Sequence, residues 1–119
     1  MNINTSTLPD IILDTTRKFL DGQFNIQSNT SDMKITIQDD VAFVRLKGLL
    51  SKAEKEFSKN PKGEELVRNV YHKLFDKSSL LLESMLKNST GKEVRNINVE
   101  IDPEHLELLL VIHFKENIN

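Results

Sequence analysis

Three basic side chains fall close together in the sequence pattern, and they could bind an anion. Arg45 and Lys47 alternate along one predicted strand, and Lys34 lies on the strand before it. If a two-residue turn joins these strands, Lys34 stands directly opposite Arg45. A guanidinium group matches the planar geometry of carboxylate, bicarbonate or phosphate. The alternative is that Arg45 packs its stem on the sheet and pairs with an acid such as Glu54.

A second set of polar residues has the types that could bind a metal ion. Asp102, Glu104, His105 and Glu107 carry oxygen and imidazole groups that suit a hard or borderline cation. Their spacing matches no known metal-binding loop, however, and acids beside proline are ordinary turn residues. We therefore predict no metal site.

The remaining reactive residue types form no catalytic pattern. His72 and His113 have no serine or cysteine nucleophile pattern beside them, and the glycines are isolated rather than gathered into a phosphate-binding loop. We predict no catalytic residues and no cofactor. The sequence favours a protein that is not an enzyme, and it leaves an enzyme open as the alternative.

Size and composition restrict the class of protein. The chain has 119 residues, which predicts one domain over residues 1–119. It has no cysteine, as suits a reducing cytosol. The net charge of −2, without a basic stripe, argues against a nucleic-acid partner. The apolar run at 106–112 is far shorter than a membrane span of about 20 residues, and no signal peptide is recognisable, so we expect a soluble cytoplasmic protein without direct membrane insertion.

Alternating apolar residues predict four strands arranged as two hairpins. The predicted strands are Met33–Gln38, Val41–Lys47, Val94–Asp102 and Leu106–Lys115. The second and fourth strands are apolar on both faces, whereas the first and third are polar on one. Because central strands need cover on both sides, we predict an antiparallel sheet with strand order 1-2-4-3.

Helical spacing of apolar residues predicts three helices. These are Pro9–Asp21, a short helix at about Lys52–Lys59, and a long helix Glu64–Asn88. Gly22 and Gly91 stand where glycine ends a helix, and Ser51 with Glu54 has the spacing of a capping box. The resulting fold class is α+β, a two-layer sandwich with the helices on one face of the sheet, in the order α-β-β-α-α-β-β.

One apolar stripe of the long helix is expected to face the sheet, with charges on the far side. The stripe comprises Leu66, Val67, Val70, Tyr71, Leu74, Leu81, Leu82 and Met85. The inner face of the sheet is expected to present Met33, Ile35, Ile37, Val44, Leu46, Ile97, Val99, Ile101, Leu108, Leu110 and Ile112. Both long helices are expected to pack on this inner face, so no helix remains to cover the outer face of the sheet.

The outer face of the sheet then keeps an apolar patch that predicts an interface. Its members are Val41, Phe43, Leu109 and Val111. A symmetric homodimer is the commonest solution, and Phe43 would lie near its centre. Arg45 and Lys34 would lie at the rim and pair with Glu100 or Glu107, which we expect opposite each other in the last hairpin.

The stretch Arg45-Leu46-x-Gly48-x-Leu50-Ser51-x-x-Glu54 resembles the R-L-x-G-x-L-T-x-x-E signature of the MpsC-like family of small bacterial proteins. Gly63-x-x-Leu66-Val67 and Thr90-Gly91-Lys92-x-Val94 follow in the family order, and the Asp102 turn resembles the start of its closing hairpin. The similarity covers about residues 33–114. At 24–30 the chain reads F-N-I-Q-S-N-T where members often carry G-x-G-P, so a role of that glycine loop is not implied here.

The resemblance implies a non-catalytic accessory or regulatory protein near a membrane transporter. The family name refers to a sodium-translocating, membrane-potential-generating system that is also linked to inorganic carbon uptake. A membrane transporter subunit is therefore an expected partner beside a second copy of the chain. The alternative is a small-anion or small-molecule binding protein, or an enzyme, that uses the cationic group of Arg45, Lys34 and Lys47.

Overall fold

Two helices pack on one face of a four-stranded antiparallel sheet in the computed structural model, which describes residues 7–24, 33–47, 59–102 and 107–119. The elements are α1 (Leu8–Phe24), β1 (Met33–Gln38), β2 (Val41–Lys47), α2 (Pro61–Thr90), β3 (Val94–Asp102) and β4 (Glu107–Phe114). The predicted α+β two-layer fold is confirmed. The predicted short helix and its Ser51 cap lie outside the described residues.

The sheet has the order β1-β2-β4-β3, as predicted from the polarity of the strands. Met33 pairs with Leu46, Ile35 with Val44 and Ile37 with Ala42, so the predicted register of the first hairpin is also confirmed. On its other side β2 pairs with β4, where Val44 is opposite Leu110. A single buried face results, because residues at every second position of the strands point toward the helices, apart from an irregularity in β3 between Val94 and Asn96.

The turn between β1 and β2 also binds the end of the chain. Asp39 has a φ of 55°, a left-handed conformation that aspartate tolerates better than most residues. The carbonyl of Asp40 accepts a hydrogen bond from the backbone N–H of Phe114 at 2.8 Å, and that of Asp39 accepts one from Ile118 at 2.9 Å. Ile118 is thereby held in the core, where 7% of it is exposed.

Both long helices extend beyond their predicted limits. α1 continues through Gly22 to Phe24, so the prediction that Gly22 ends this helix is wrong. A glycine inside a helix costs only about 1 kcal/mol, which the packing of the helix offsets. α2 begins at Pro61, because the side chain of Asn60 caps it by accepting a hydrogen bond from Gly63 at 2.8 Å. Gly91 ends α2 with a φ of 73°, as predicted.

The apolar stripe of α2 that meets the rest of the core differs from the predicted one. The buried residues are Gly63, Val67, Tyr71, Phe75, Leu82 and Leu86. Phe75 contacts Phe19 of α1 with ring centroids 6.2 Å apart, and the Arg68 guanidinium donates to the Ile101 carbonyl of β3 at 2.6 Å. These contacts fix the rotation of the helix and leave four residues of the predicted stripe exposed: Leu66, Val70, Leu74 and Leu81.

A hydroxyl contact joins the two helices near the end of α2. Thr15 is buried, and its Oγ1 donates to Ser89 Oγ at 2.7 Å. Thr16 is fully buried and donates to the Ile12 carbonyl within α1 at 2.8 Å. Both buried hydroxyls therefore have a hydrogen-bond acceptor.

Three charged residues connect the end of α2 to the sheet. Glu93 accepts from Lys87 Nζ at 3.2 Å, and Lys115 Nζ lies 3.5 Å from its other carboxylate oxygen. The hydrogen bond from Lys87, with the charge of Lys115, lowers the pKa of Glu93 below its ordinary value. What this cluster contributes to stability is therefore present above the ordinary carboxyl pKa and is lost as the pH falls through the lowered pKa.

We expect an NMR titration to show a Glu93 pKa below that of an exposed glutamate, and Lys87→Gln to raise it. Lys115→Gln should raise it by a smaller amount, because Lys87 makes the closer contact. Lys92→Gln is the matched control, since Lys92 is adjacent in sequence and is not among the causes of the shift. An unchanged Glu93 pKa in Lys87→Gln would contradict this assignment.

Candidate functional site on the outer sheet face

The outer face consists of the strand residues that point away from α1 and α2. In its middle lie four half-buried apolar residues from the central strands: Val41, Phe43, Leu109 and Val111. Phe43 pairs with Val111 across β2 and β4. The sheet thus brings together the predicted interface residues in one apolar patch.

Lys34 and Arg45 lie beside this patch and directly opposite each other. With Thr36, Phe43 and Leu109 they line a shallow depression of about 220 Å³. Ligand pockets usually measure about 300–1,000 Å³, so this depression is small for an organic ligand and large enough for a simple anion. Neither cation forms an ion pair with a residue that the structure describes.

Lys47, the third predicted cation, belongs to another part of the outer face. Its Nζ lies 3.8 Å from Glu107, and its position pairs with Glu107 across β2 and β4. It does not line the depression beside Arg45. The structure therefore brings two of the three predicted ligand-binding residues together and places the third beside Glu107. Glu54, the predicted alternative partner of Arg45, lies outside the described residues.

The prediction that Glu100 and Glu107 face each other is wrong. Glu100 pairs with Leu109, and Glu107 pairs with Asp102. The two strands therefore pair two positions away from the expected register. Because the shift is by two, each residue keeps its face of the sheet.

At the opposite end of the outer face His113 lies between two polar side chains. Arg95 Nη2 is 3.4 Å from Nδ1 of His113, and Asn98 Nδ2 is 3.4 Å from Nε2. These are long contacts on an exposed surface, so they orient the imidazole only weakly. Among the described residues, the hydrogen-bond partners of His113 are Arg95 and Asn98, and neither is a nucleophile.

A second cleft lies between α2 and β3 and was not predicted. It has a volume of about 250 Å³, and its lining includes His72, Asp76 and Glu100. Within the described residues, no group of three histidine, aspartate or glutamate side chains is arranged to hold a metal ion. His105 and Glu104 of the candidate metal cluster lie in the part that is not described.

The structure also exposes an apolar surface on α2, and four of its five residues were predicted to face the core, Leu80 being the exception. We call it the leucine face, and it comprises Leu66, Val70, Leu74, Leu80 and Leu81. Leu80 is the most exposed of them, at 74%. The signal in the sequence is that α2 has too many apolar residues for one stripe, and this excess predicts two faces without saying which one is buried.

None of the helices in the described part of the chain combines the length and apolarity that crossing a membrane requires. The profile of the family described as "Na+-translocating membrane potential-generating system (MpsC)" matches residues 7–116, nearly the whole chain. The chain belongs to the MpsC family, which confirms the resemblance seen in its motifs. Searches of curated proteins and of solved structures found no match.

Proposed function

We propose that this protein is a non-catalytic accessory or regulatory component of a membrane ion or inorganic-carbon transport system, and that it acts as a homodimeric interaction module in the cytoplasm. The family description supports the association with a sodium-translocating, membrane-potential-generating system. The accessory role, the dimer and the location are the steps that we add to it.

The observation that carries the interaction role is the apolar patch in the middle of the outer face. Val41, Phe43, Leu109 and Val111 belong to the two central strands, and the helices are packed on the other side of the sheet. A contiguous apolar patch with a polar rim commonly marks a protein interface. The two clefts described above are smaller than typical ligand pockets, so the outer face offers more to a macromolecule than to a metabolite.

Purification from the native cell tests the association with a transport system. The tagged protein is cross-linked in the cell, isolated after the membranes are dissolved in detergent, and its partners are identified by mass spectrometry. We expect an ion-translocating membrane subunit to be recovered with the wild type and lost with Phe43→Glu. Gln38→Glu, which adds the same charge on the edge strand, serves as the control. Recovery of the protein without any transport subunit would contradict the proposal.

A small-anion binding protein is the second candidate, and the pairing of Lys34 with Arg45 favours it. Like charges placed directly opposite each other in adjacent strands are destabilising. An anion bound between the two groups would remove this repulsion, and a bidentate contact with Arg45 would orient it.

Titration with bicarbonate and with inorganic phosphate tests the second candidate. If an anion binds there, each of Arg45→Gln and Lys34→Gln should weaken the affinity at least tenfold, because a charge-assisted hydrogen bond contributes about 1.5–3 kcal/mol. Lys47→Gln is the matched control, since Lys47 is already paired with Glu107. No detectable binding to the wild type at millimolar anion would remove this candidate.

A further inference from the structure

Four outward-facing residues form one row across the whole sheet. Lys34 of β1 pairs with Arg45 of β2, which pairs with Leu109 of β4. Leu109 in turn pairs with Glu100 of β3. The two cations therefore lie on one half of the sheet and the acid lies at the opposite edge. Their outermost members, Lys34 and Glu100, are three strand spacings apart, about 14 Å between backbones, and belong to the two edge strands.

The charges of this row differ from the other charges of the outer face. The other described charges each have a partner within the chain: Lys47 with Glu107, Lys115 with Glu93, Arg95 with His113, and also Asp102. Lys34, Arg45 and Glu100 are exposed, and none of them forms an ion pair with another described residue. These three are therefore the charges on this face that a partner could pair.

A two-fold axis parallel to the strands would bring these charges together in two copies packed face to face. If the axis runs between β2 and β4, it places β1 of one copy over β3 of the other and each row opposite itself. Glu100 of each copy then lies over Lys34 of the other. In the next row Phe43 lies over Val111. Facing sheets are about 10 Å apart, a gap that a lysine and a glutamate can span together.

The depression beside Arg45 is placed to receive this carboxylate. Its lining includes Lys34, Arg45 and Leu109, and its volume is about 220 Å³. The two cations repel each other, and a carboxylate between them would remove the repulsion and could bind the guanidinium in a bidentate manner. Glu100 of a second copy would thus supply the anion that the second candidate function takes from solution.

A two-fold axis perpendicular to the strands would satisfy fewer of these charges. It places each strand over the same strand of the second copy. Lys34 and Arg45 would then face β1 and β2, whose outward-facing residues include no acid. Glu100 would lie near Arg95 of the second copy, but both cations of the row would be left without a partner. Charge complementarity therefore favours the axis parallel to the strands.

We propose that two copies of the chain pack through their outer faces about a two-fold axis parallel to the strands, and that Glu100 of each copy binds between Lys34 and Arg45 of the other. This deepens the proposed function and rests on its homodimer, because it names the groups that set how the copies are arranged. The apolar patch forms the buried centre, and two equivalent ionic contacts flank it.

Charge reversal on the purified full chain tests the arrangement by sedimentation equilibrium. Lys34→Glu brings two acids together at both contacts, and Glu100→Lys brings cations together. Each variant alone should therefore dimerise at least about tenfold more weakly than the wild type. In an equimolar mixture, the mixed dimer has one native contact and one in which lysine and glutamate have exchanged places. Its dissociation constant should return to within about threefold of the wild-type value.

Matched charge reversals on the helix side of the domain provide the control. Lys73→Glu and Glu65→Lys change the net charge by the same amounts at exposed positions of α2. Each of these variants, and their mixture, should dimerise within about twofold of the wild type. This control separates a local contact from attraction between chains of altered net charge. Circular dichroism verifies that every variant is folded.

The possible failures are distinguishable. A wild type that is monomeric at micromolar concentration would overturn both the proposed homodimer and this arrangement. A dimeric wild type, with Lys34→Glu and Glu100→Lys gaining nothing when mixed, would overturn the arrangement alone. Recovery on mixing Glu100→Lys with Arg95→Glu, and not with Lys34→Glu, would also overturn it, because the axis would then lie across the strands.

Discussion

Replacing Leu110 with alanine is expected to lower the free energy of unfolding by about 2–5 kcal/mol. Leu110 lies in the central strand β4, where it is 1% exposed and faces Val44 on one side and Val99 on the other. Packed neighbours in both adjacent strands leave little room for the sheet to close the cavity. Because domains of this size are stable by only about 5–15 kcal/mol, the loss would be visible at once in urea unfolding.

The adjacent residue supplies a matched control. Leu109 is the same residue type in the same strand, but it points to the outer face and is only half-buried. Leu109→Ala should cost less than about 1.5 kcal/mol. Both variants are measured at one protein concentration, since dimerisation would add to stability. Equal losses for the two variants would contradict the assignment of inner and outer faces to the core and the surface.

Replacing Phe43 with glutamate is expected to convert the proposed homodimer into a monomer. Phe43 lies in the central strand β2 opposite Val111, in the middle of the apolar patch on the outer face. An aromatic residue at an interface centre commonly contributes 2 kcal/mol or more, and burying a carboxylate there adds a further cost. We expect the dissociation constant to rise roughly 100-fold or more, as measured by sedimentation equilibrium.

The control for this variant places the same charge at the margin of the same face. Gln38 lies on the edge strand β1 and is exposed, so Gln38→Glu should leave the dimer intact. Urea unfolding then distinguishes a lost interface from a lost fold. A wild type that is monomeric at micromolar concentration, or a dimer that persists in Phe43→Glu, would remove the outer face as the interface.

The strands were predictable from the sequence because side chains along a strand alternate between the two faces of the sheet. Met33, Ile35 and Ile37 had to point the same way, and the short turn at Asp39 fixed their partners in β2. The strand order followed from the same alternation. The register of β3 and β4 was predicted wrongly, because alternation fixes which face a residue takes but not its partner, and Glu107 pairs with Asp102 and not with Glu100.

The rotation of α2 could not be read from the sequence for a different reason. Leucine and valine occupy two neighbouring arcs of this helix, and periodicity gives both the same weight. The choice depends on contacts with distant segments, namely Phe75 with Phe19 and Arg68 with the Ile101 carbonyl. Those contacts bury Val67 and Leu82 and expose Val70 and Leu81.

For the candidate site, the predicted position of Lys34 opposite Arg45 is confirmed. The pairing of Lys47 with Glu107 was not predicted.

The strand order also has a consequence for how the chain folds. Each hairpin can form from neighbouring residues, but the central contact between β2 and β4 joins Lys47 to Glu107, with all of α2 and β3 between them. Closing so long a loop is entropically costly and slows folding relative to an all-helical protein of this size. Until β2 and β4 meet, each presents an unpaired apolar edge that can recruit another unfolded chain. The same strands that carry the proposed interface are therefore the ones through which a newly made chain is most exposed to aggregation.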